Sequence, residues 1–352
     1  PMRVQAQHYA CPYYPVTSYD VLHKQSPQHV GGCLWHSFDH QRGYHPDPFY
    51  GGLMDVFRQP KYSYYMFMAQ RPAVKNDRNA GSGPMVYIAH EMTPFSGKDV
   101  TVYSNCDEVR LTFNKGGKTY TYKKDKNRPG MPSPVITFPD VYDFMVDKAF
   151  SRTQKQDDVY LLAEGLIDGK VVATHKVVPA RRPEKILLWM DNEGLKAEGS
   201  DFVTVVAAVA DKNGNIKRLN NYNIRFSIEG EGRLLGGPGV LANPVPVKWG
   251  TAPVLVQSTL KPGKIRITAS VLFEGSQMPI SGELEFESKP SVFPLVYDAA
   301  DAARIPLGSA SAGQNTASKT DAEREVERLR KELNTLKLKE VERQQSEFGE
   351  KE

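Results

Sequence analysis

Two successive blocks of period-two alternation, and ahead of them a strand running into a glycine-rich polar loop, predict the fold class. The chain reads as mainly β: two immunoglobulin-like β-sandwiches, preceded by an incomplete C-terminal piece of a (β/α)8 barrel and followed by a terminal helix. Residues 1–75 carry the barrel-like piece. MRVQAQHYA and SYDVLHKQ read as short helices, VGGCLWHSFD as a buried strand led in by a glycine pair, and PKYSYYMFMAQ as a helix filled by aromatic and Met side chains. One strand with a helix on either side cannot bury both faces of a sheet, so this is too little for a complete α/β domain.

Residues 84–180 change period. MVYIAHEM, DVTVYSN, EVRLTFN, KTYTYKK, VITFPDV and DVYLLAEGLI alternate apolar and polar residues, separated by turn signals such as SGKD, NKGGK and DGK. ARRPE (180–184) is a linker. Residues 183–289 repeat the layout with KILLWMD, FVTVVAAVAD, NIRFSIEG, PVLVQST, KIRITASVL and GELEFES, and DKNGN (211–215) as a turn. Trp189, inside KILLWMD, is expected in the core; Trp249, in the turn PVKWGTAP, is the better surface candidate. GEGRLLGGPG (230–239) has no following helix and reads as a sandwich loop, not a phosphate cradle. Glu91, after His90, is expected in a strand and simply exposed. Tyr62, Tyr64 and Tyr65 read as packing residues of the helix that ends the barrel piece.

Residues 290–319 lose periodicity and read as a flexible linker. A helix is expected over 320–347, started by the capping box of Thr320 and Glu323. Val326, Leu329, Leu333 and Leu336 form a short seam that Glu340 breaks, consistent with a short coiled coil that self-associates or with a solvated helix laced by ion pairs.

Composition narrows the function classes. The 45 Lys and Arg against 41 Asp and Glu leave a net charge of only +4, which demands no nucleic acid partner. No apolar run reaches the ~18 residues of a membrane helix. Cys11, Cys33 and Cys106 have no C-x-x-C spacing, so neither a structural zinc nor a disulfide framework is expected, and nothing calls for a cofactor. The chain opens on Pro1 with no signal peptide ahead of it, so it is expected to be processed or a fragment.

The stretch GGCLWHSFDHQRGYHPDPFYGG, residues 31–52, concentrates the candidate chemistry. His36, His40 and His45 fall within ten positions, with Trp35, Asp39, Arg42 and Asp47 among them. A helical metal site conflicts with Gly31, Gly32, Gly43, Pro46 and Pro48; in an extended chain His36 and His40 would lie ~13 Å apart. A triad with Ser37 and Asp39 lacks the nucleophile elbow. A strand ending in a polar, aromatic loop is how α/β barrels present site residues at their C-terminal face. Trp35 is then an apolar platform for a sugar ring, and Asp39, His40, Arg42, His45 and Asp47 are hydrogen-bonding residues for its hydroxyls.

GG-C-LW-H-S-FD followed by FYGGLMDVFRQPKYSYYMF resembles the last strand and last helix of the catalytic barrel in glycoside hydrolase family 2, the β-galactosidase family. Gly31, Gly32, Trp35, Asp39, Gly52, Asp55, Arg58, Pro60 and Lys61 carry the resemblance. The loop HQRGYHPDPF resembles members acting on galactose-containing glycans, and APVLVQSTLKPGKIRITASV (252–271) is similar to the family's last, invasin-like sandwich. The resemblance implies a retaining β-galactosidase-like hydrolase with a galactose-containing glycan as partner, and, by analogy with bacterial members, periplasmic or secreted localisation. It also implies two catalytic glutamates on barrel strands that precede residue 1. Residues 1–72 contain no glutamate, and the first in the chain is Glu91, so no catalytic residue carries over and the chain alone is expected to be inactive. The alternative reading is a non-catalytic carbohydrate-binding or adhesion module, which aromatic residues on an exposed sandwich face would favour.

Overall fold

The computed structural model describes residues 6–7, 9–10, 18–26, 28, 36–43, 48–75, 81–237, 242–273, 278–291 and 328. The expected linker 290–319 and helix 320–347 lie almost wholly outside them. The protein is mainly β. No helix among the described residues is long and apolar enough to cross a membrane.

The first block forms two facing antiparallel sheets. One holds β1 (Val86–Ile88), β2 (Val100–Ser104) and β5 (Ile136–Phe138), in the order β1-β2-β5. The other holds β3 (Glu108–Phe113), β4 (Thr119–Lys123), β6 (Leu161–Ile167) and β7 (Lys170–Val177), in the order β4-β3-β6-β7. Val100, Val102, Val109, Leu111, Ile136 and Leu161 meet between them. Burial of each such side chain contributes about 1.5–3 kcal/mol. The sequence reading ends its strands at Ile167 and misses β7, whose KVVATHKV lies half-exposed on an edge. It also misses a helix over Phe144–Thr153, which Asp143 caps by accepting from the Met145 and Val146 N–H groups.

The second block also forms two sheets. The first is ordered β12-β14-β10-β8, from β8 (Lys185–Met190), β10 (Phe202–Ala210), β12 (Gly232–Leu234) and β14 (Thr251–Ser258). The second is ordered β13-β11-β15-β16-β9, from β9 (Lys196–Ala197), β11 (Asn223–Gly230), β13 (Val245–Pro246), β15 (Gly263–Val271) and β16 (Gly282–Pro290). GEGRLLGGPG is therefore not all loop: its Gly232–Leu234 pairs with β14. Ile186, Val203, Val205, Ala207, Val254 and Ile267 share the core. Trp189 has the opposite parity on β8. It stands on the outer face, 38% exposed, which corrects the expectation of a core tryptophan. Trp249 is 40% exposed in a turn at φ 54°.

The N-terminal segment packs on the first sandwich. Helices α1 (Tyr19–Gln25) and α2 (Tyr62–Met68) form within the stretches expected to be helical. The expected strand VGGCLWHSFD is not continuous in its described part: 36–40 make only the single bridges Phe38–Met54 and His40–Phe49. Tyr62, Met66 and Ala69 meet Met85, Ala89 and Tyr103 in a third core. All five residues of β2 are consequently buried, because Thr101 and Tyr103 face α2 while Val100 and Val102 face the sandwich. Tyr65 stacks on Tyr87 at 3.6 Å, and Tyr87 meets the His175 ring at 4.5 Å. Burial pushes the His175 imidazole down, and its Nδ1 accepts from the Ile88 N–H at 3.1 Å. At α1, burial alone would raise the Asp20 carboxyl. The Arg128 guanidinium, the Lys24 ammonium and the Met131 N–H outweigh it and hold the group at about 2.

Two carboxylates tie the blocks together. Glu91 accepts from the Tyr62 hydroxyl at 2.9 Å and from Arg218 Nε at 3.0 Å, so it joins α2, the first sandwich and the second; it is neither in a strand nor simply exposed. Asp211 accepts from the Gln156 amide, the Arg181 N–H and its own turn through Asn213 and Asn215. Burial would raise the Asp211 carboxyl, yet these donors hold it down. A cleft of about 230 Å³ is lined by Glu91, by Gln156 and Arg181, the partners of Asp211, and by Asp147. Asp147 is 4% exposed, and its Oδ1 has no hydrogen-bond partner among the described residues. Burial pushes its carboxyl up to about 6.

Replacing Glu91 by Ala strands Arg218 and the Tyr62 hydroxyl. The urea midpoint should fall by the equivalent of about 1–3 kcal/mol, and an unchanged midpoint would refute the joint. Asp147 holds its proton in the folded state at a pH where the unfolded chain has released it. Its stabilising contribution is full below about pH 4 and lost as pH rises through about 6. Asp147→Asn should thus gain on the wild type by about 3 kcal/mol at pH 8 relative to pH 4. Parallel stability–pH curves would contradict this.

Candidate functional site

The loops 36–43 and 48–61 are laced edge to edge. The Asp39 N–H donates to Met54 O at 2.9 Å, the Met54 N–H to Ser37 O at 3.1 Å, and the Phe49 N–H to His40 O at 2.9 Å. The approach is so close at Gly52 that a Cβ there would sit 2.3 Å from Asp39 N, so only glycine fits. Asp55 makes the following turn, accepting from the Phe57 and Gln59 N–H groups at 2.8 Å. Burial pushes its carboxyl up, and those same bonds oppose the shift. Arg58 takes the left-handed conformation at φ 63°. The glycine and aspartate of the 52–61 motif are therefore requirements of a tight double loop, and the Arg58 guanidinium lies 5.8 Å over the Phe38 ring.

Asp39 is the fastener. Its carboxylate is buried, accepts the Gly52 N–H at 2.9 Å and pairs with Lys61 Nζ at 2.5 Å; Lys61 also donates to Tyr50 O at 3.1 Å. This differs from the expectation of a side chain open to sugar hydroxyls. The sequence reading did not find Lys61 as its partner, because a contact across 22 positions leaves no local signal.

Beside the fastener stands an aromatic and cationic cluster. The His36 and His40 rings meet edge to face at 4.0 Å, both flank Phe49, and the Arg42 guanidinium lies 4.7 Å over the Phe49 ring. Desolvation and the neighbouring His40 push the His36 imidazole down. Arg42 is exposed and His40 half-buried. The structure thus brings together Asp39, His40 and Arg42 of the expected site, with His36 and Phe49 added. Trp35, His45 and Asp47 lie outside the described residues. No group of three or more His, Cys, Asp and Glu among the described residues is arranged to hold a metal ion. Chemically, the cluster offers imidazole and guanidinium groups suited to hydroxyl or carboxylate oxygens, backed by aromatic rings.

Lys61→Met leaves the Asp39 charge buried without its cation. It should cost about 3–5 kcal/mol, with lost hydrogen-exchange protection at the amides of Asp39, Gly52 and Met54. Full protection at these three amides would show that Lys61 does not hold the loops.

Comparison with known proteins follows the same outline. The model of the glycoside hydrolase family 2 C-terminal domain 5 matches residues 186–272. A β-galactosidase of Thermoanaerobacter pseudethanolicus is 30% identical over 296 residues, covering 76% of this chain and 37% of that protein. A β-galactosidase of Bacteroides ovatus is 26% identical over 259 residues, covering 68% and 27%. The chain thus spans roughly a third of the length of these relatives. Among solved structures, a β-glycosidase from Bacteroides vulgatus superposes with a TM-score of 0.52 at 22% identity, over 72% of this chain and 30% of that one. A β-glucuronidase of glycoside hydrolase family 2 superposes at 0.51 and 23% identity, over 70% and 24%. These two show the shared fold. By the matched domain, these relatives and this fold, the chain belongs to glycoside hydrolase family 2, in the C-terminal part of its members.

Proposed function

We propose that residues 1–352 form the C-terminal part of a longer retaining glycosidase that releases terminal β-galactosyl groups from glycans outside the cytoplasm. The observation that carries the reading is the laced double loop 36–61, with His40 and Arg42 displayed beside Phe49, in a chain whose relatives include β-galactosidases. In this reading the loop is one wall of the sugar pocket. His40 and Arg42 bind hydroxyls, Trp35, His45 and Asp47 extend the wall, and Asp39 holds it through Lys61 and Gly52. The sandwiches brace the wall through Asp20, Glu91 and the tyrosine stack.

A retaining mechanism needs an acid/base carboxyl and a nucleophile about 5 Å apart. This chain has no glutamate before Glu91, and Glu91 is committed to Tyr62 and Arg218. Asp39 is committed to Lys61. The chain by itself therefore supplies binding and bracing, and the two catalytic carboxyls belong to the rest of the enzyme.

The test pairs this chain with the protein encoded by its complete reading frame, both assayed on aryl β-galactoside and aryl β-glucuronide. The complete protein should hydrolyse the galactoside with retention of configuration, and this chain should give no turnover above a buffer blank. In the complete protein, Arg42→Ala should raise KM about tenfold, the loss of roughly one charged hydrogen bond. Purification-resistant turnover by this chain, or preference of the complete protein for the glucuronide, would overturn the proposal.

A further inference from the structure

The outer face of the β12-β14-β10-β8 sheet has no role in the reading above. Residues of one parity on these strands fill the core. Those of the other parity, Trp189, Phe202, Thr204, Val206, Pro253 and Leu255, form the outward face. Trp189 lies opposite Val206, while Phe202 lies four residues along β10 and is 46% exposed. The two rings thus stand about 13 Å apart along the strand and one strand over. Between them Thr204 and Val206 are small and each only 3% exposed, so the two rings and not the floor offer the contact surface. Beside Phe202, opposite it on β14, is Gln257, whose Oε1 accepts from Arg233 Nε at 2.6 Å on exposed ground.

We infer that this face binds a neutral oligosaccharide of several sugar units, laid along β10 with its apolar ring faces on Trp189 and Phe202 and its hydroxyls on Gln257 and Arg233. Three observations select this occupant. Two exposed rings separated by small residues suit a chain of stacked rings, and a single sugar cannot span them. Amide and guanidinium groups beside one ring supply the donors and acceptors that a hydroxylated ligand needs and a purely apolar partner does not. The strip between the rings measures roughly 200 Å² over three strands, far below the ~800 Å² per partner of a stable protein interface. One exposed carboxylate, Asp191, lies opposite Thr204 between the two rings and accepts its N–H at 2.9 Å, a further acceptor beside the strip for a hydroxylated ligand. The site lies on a different element from the 36–61 loop, and binding here needs no hydrolysis.

The experiment is affinity electrophoresis of the 352-residue chain through gels holding soluble β-galactan, β-glucan or arabinoxylan, with urea midpoints measured for every variant. At least one polysaccharide should retard the wild type. Trp189→Ala should weaken that binding at least tenfold and Phe202→Ala several-fold, while Trp189→Tyr retains most of it. Phe95→Ala, on an exposed loop of the first sandwich, should change nothing. Retardation by none of the three, or wild-type retardation of a folded Trp189→Ala, overturns the inference. So does a chain that binds no glycan but loses self-association on Trp189→Ala, which would make the face a contact between copies.

Discussion

A single partly buried carboxylate, Glu91, sets the arrangement of everything around it. One oxygen takes the hydroxyl of Tyr62 on the helix that follows the double loop, and the other takes the guanidinium of Arg218 on the second sandwich. Burial and the Glu91 carboxylate push the Tyr62 phenol far up, so it remains a donor. Each partner alone would cost free energy to desolvate; together they satisfy both oxygens at the point where three layers meet. The tyrosine stack on Tyr87 and the Asp211 seam then share the load at either side.

The double loop uses the same economy at smaller scale. Lys61 and Asp39 are both removed from water, and their pairing fixes two irregular segments that ladder hydrogen bonds alone would hold weakly. Irregular backbone needs such a fastener, because isolated bridges at Phe38–Met54 and His40–Phe49 take the place of a continuous strand ladder. Asp39 points in and is tied down, while the neighbouring His40 is half-buried and Arg42 lies exposed over the Phe49 ring.

How much was legible in the sequence depended on whether the information was local. Strands such as β3 and β6 announce themselves, since one face meets the core and the other meets water. Strand β7 is harder to see, because its inward residues Ala173, His175 and Val177 are only half-buried and include a histidine, while Val172 stands on the exposed parity. The Phe144–Thr153 helix is obscured because its apolar residues Met145 and Val146 stand exposed, although its Asp143 cap is a visible signal. Trp189 was misread because its neighbours are apolar on both sides, and a strand apolar on both faces does not say which face is inside. At the candidate site, the nearness of His40 and Arg42 follows from their spacing in the sequence, whereas the Asp39–Lys61 pair requires the chain to fold back on itself. Glu91 was misread for the same reason, since both its partners are distant in sequence.

The two-sided burial of β2 bears on how such proteins are cut and recombined. The change of period near residue 84 looks like a seam at which modules could be exchanged, but the physical boundary lies elsewhere. Tyr103 and Thr101 belong to a layer completed only by the helix Tyr62–Met68. A first sandwich transplanted from residue 84 onward would carry a bare aromatic face and would tend to aggregate. One transplanted with the preceding helix would arrive with that face already sealed. For this region the inheritable unit is the sandwich together with its helical lid, and crossovers that part the two should be rare among functional chimeras.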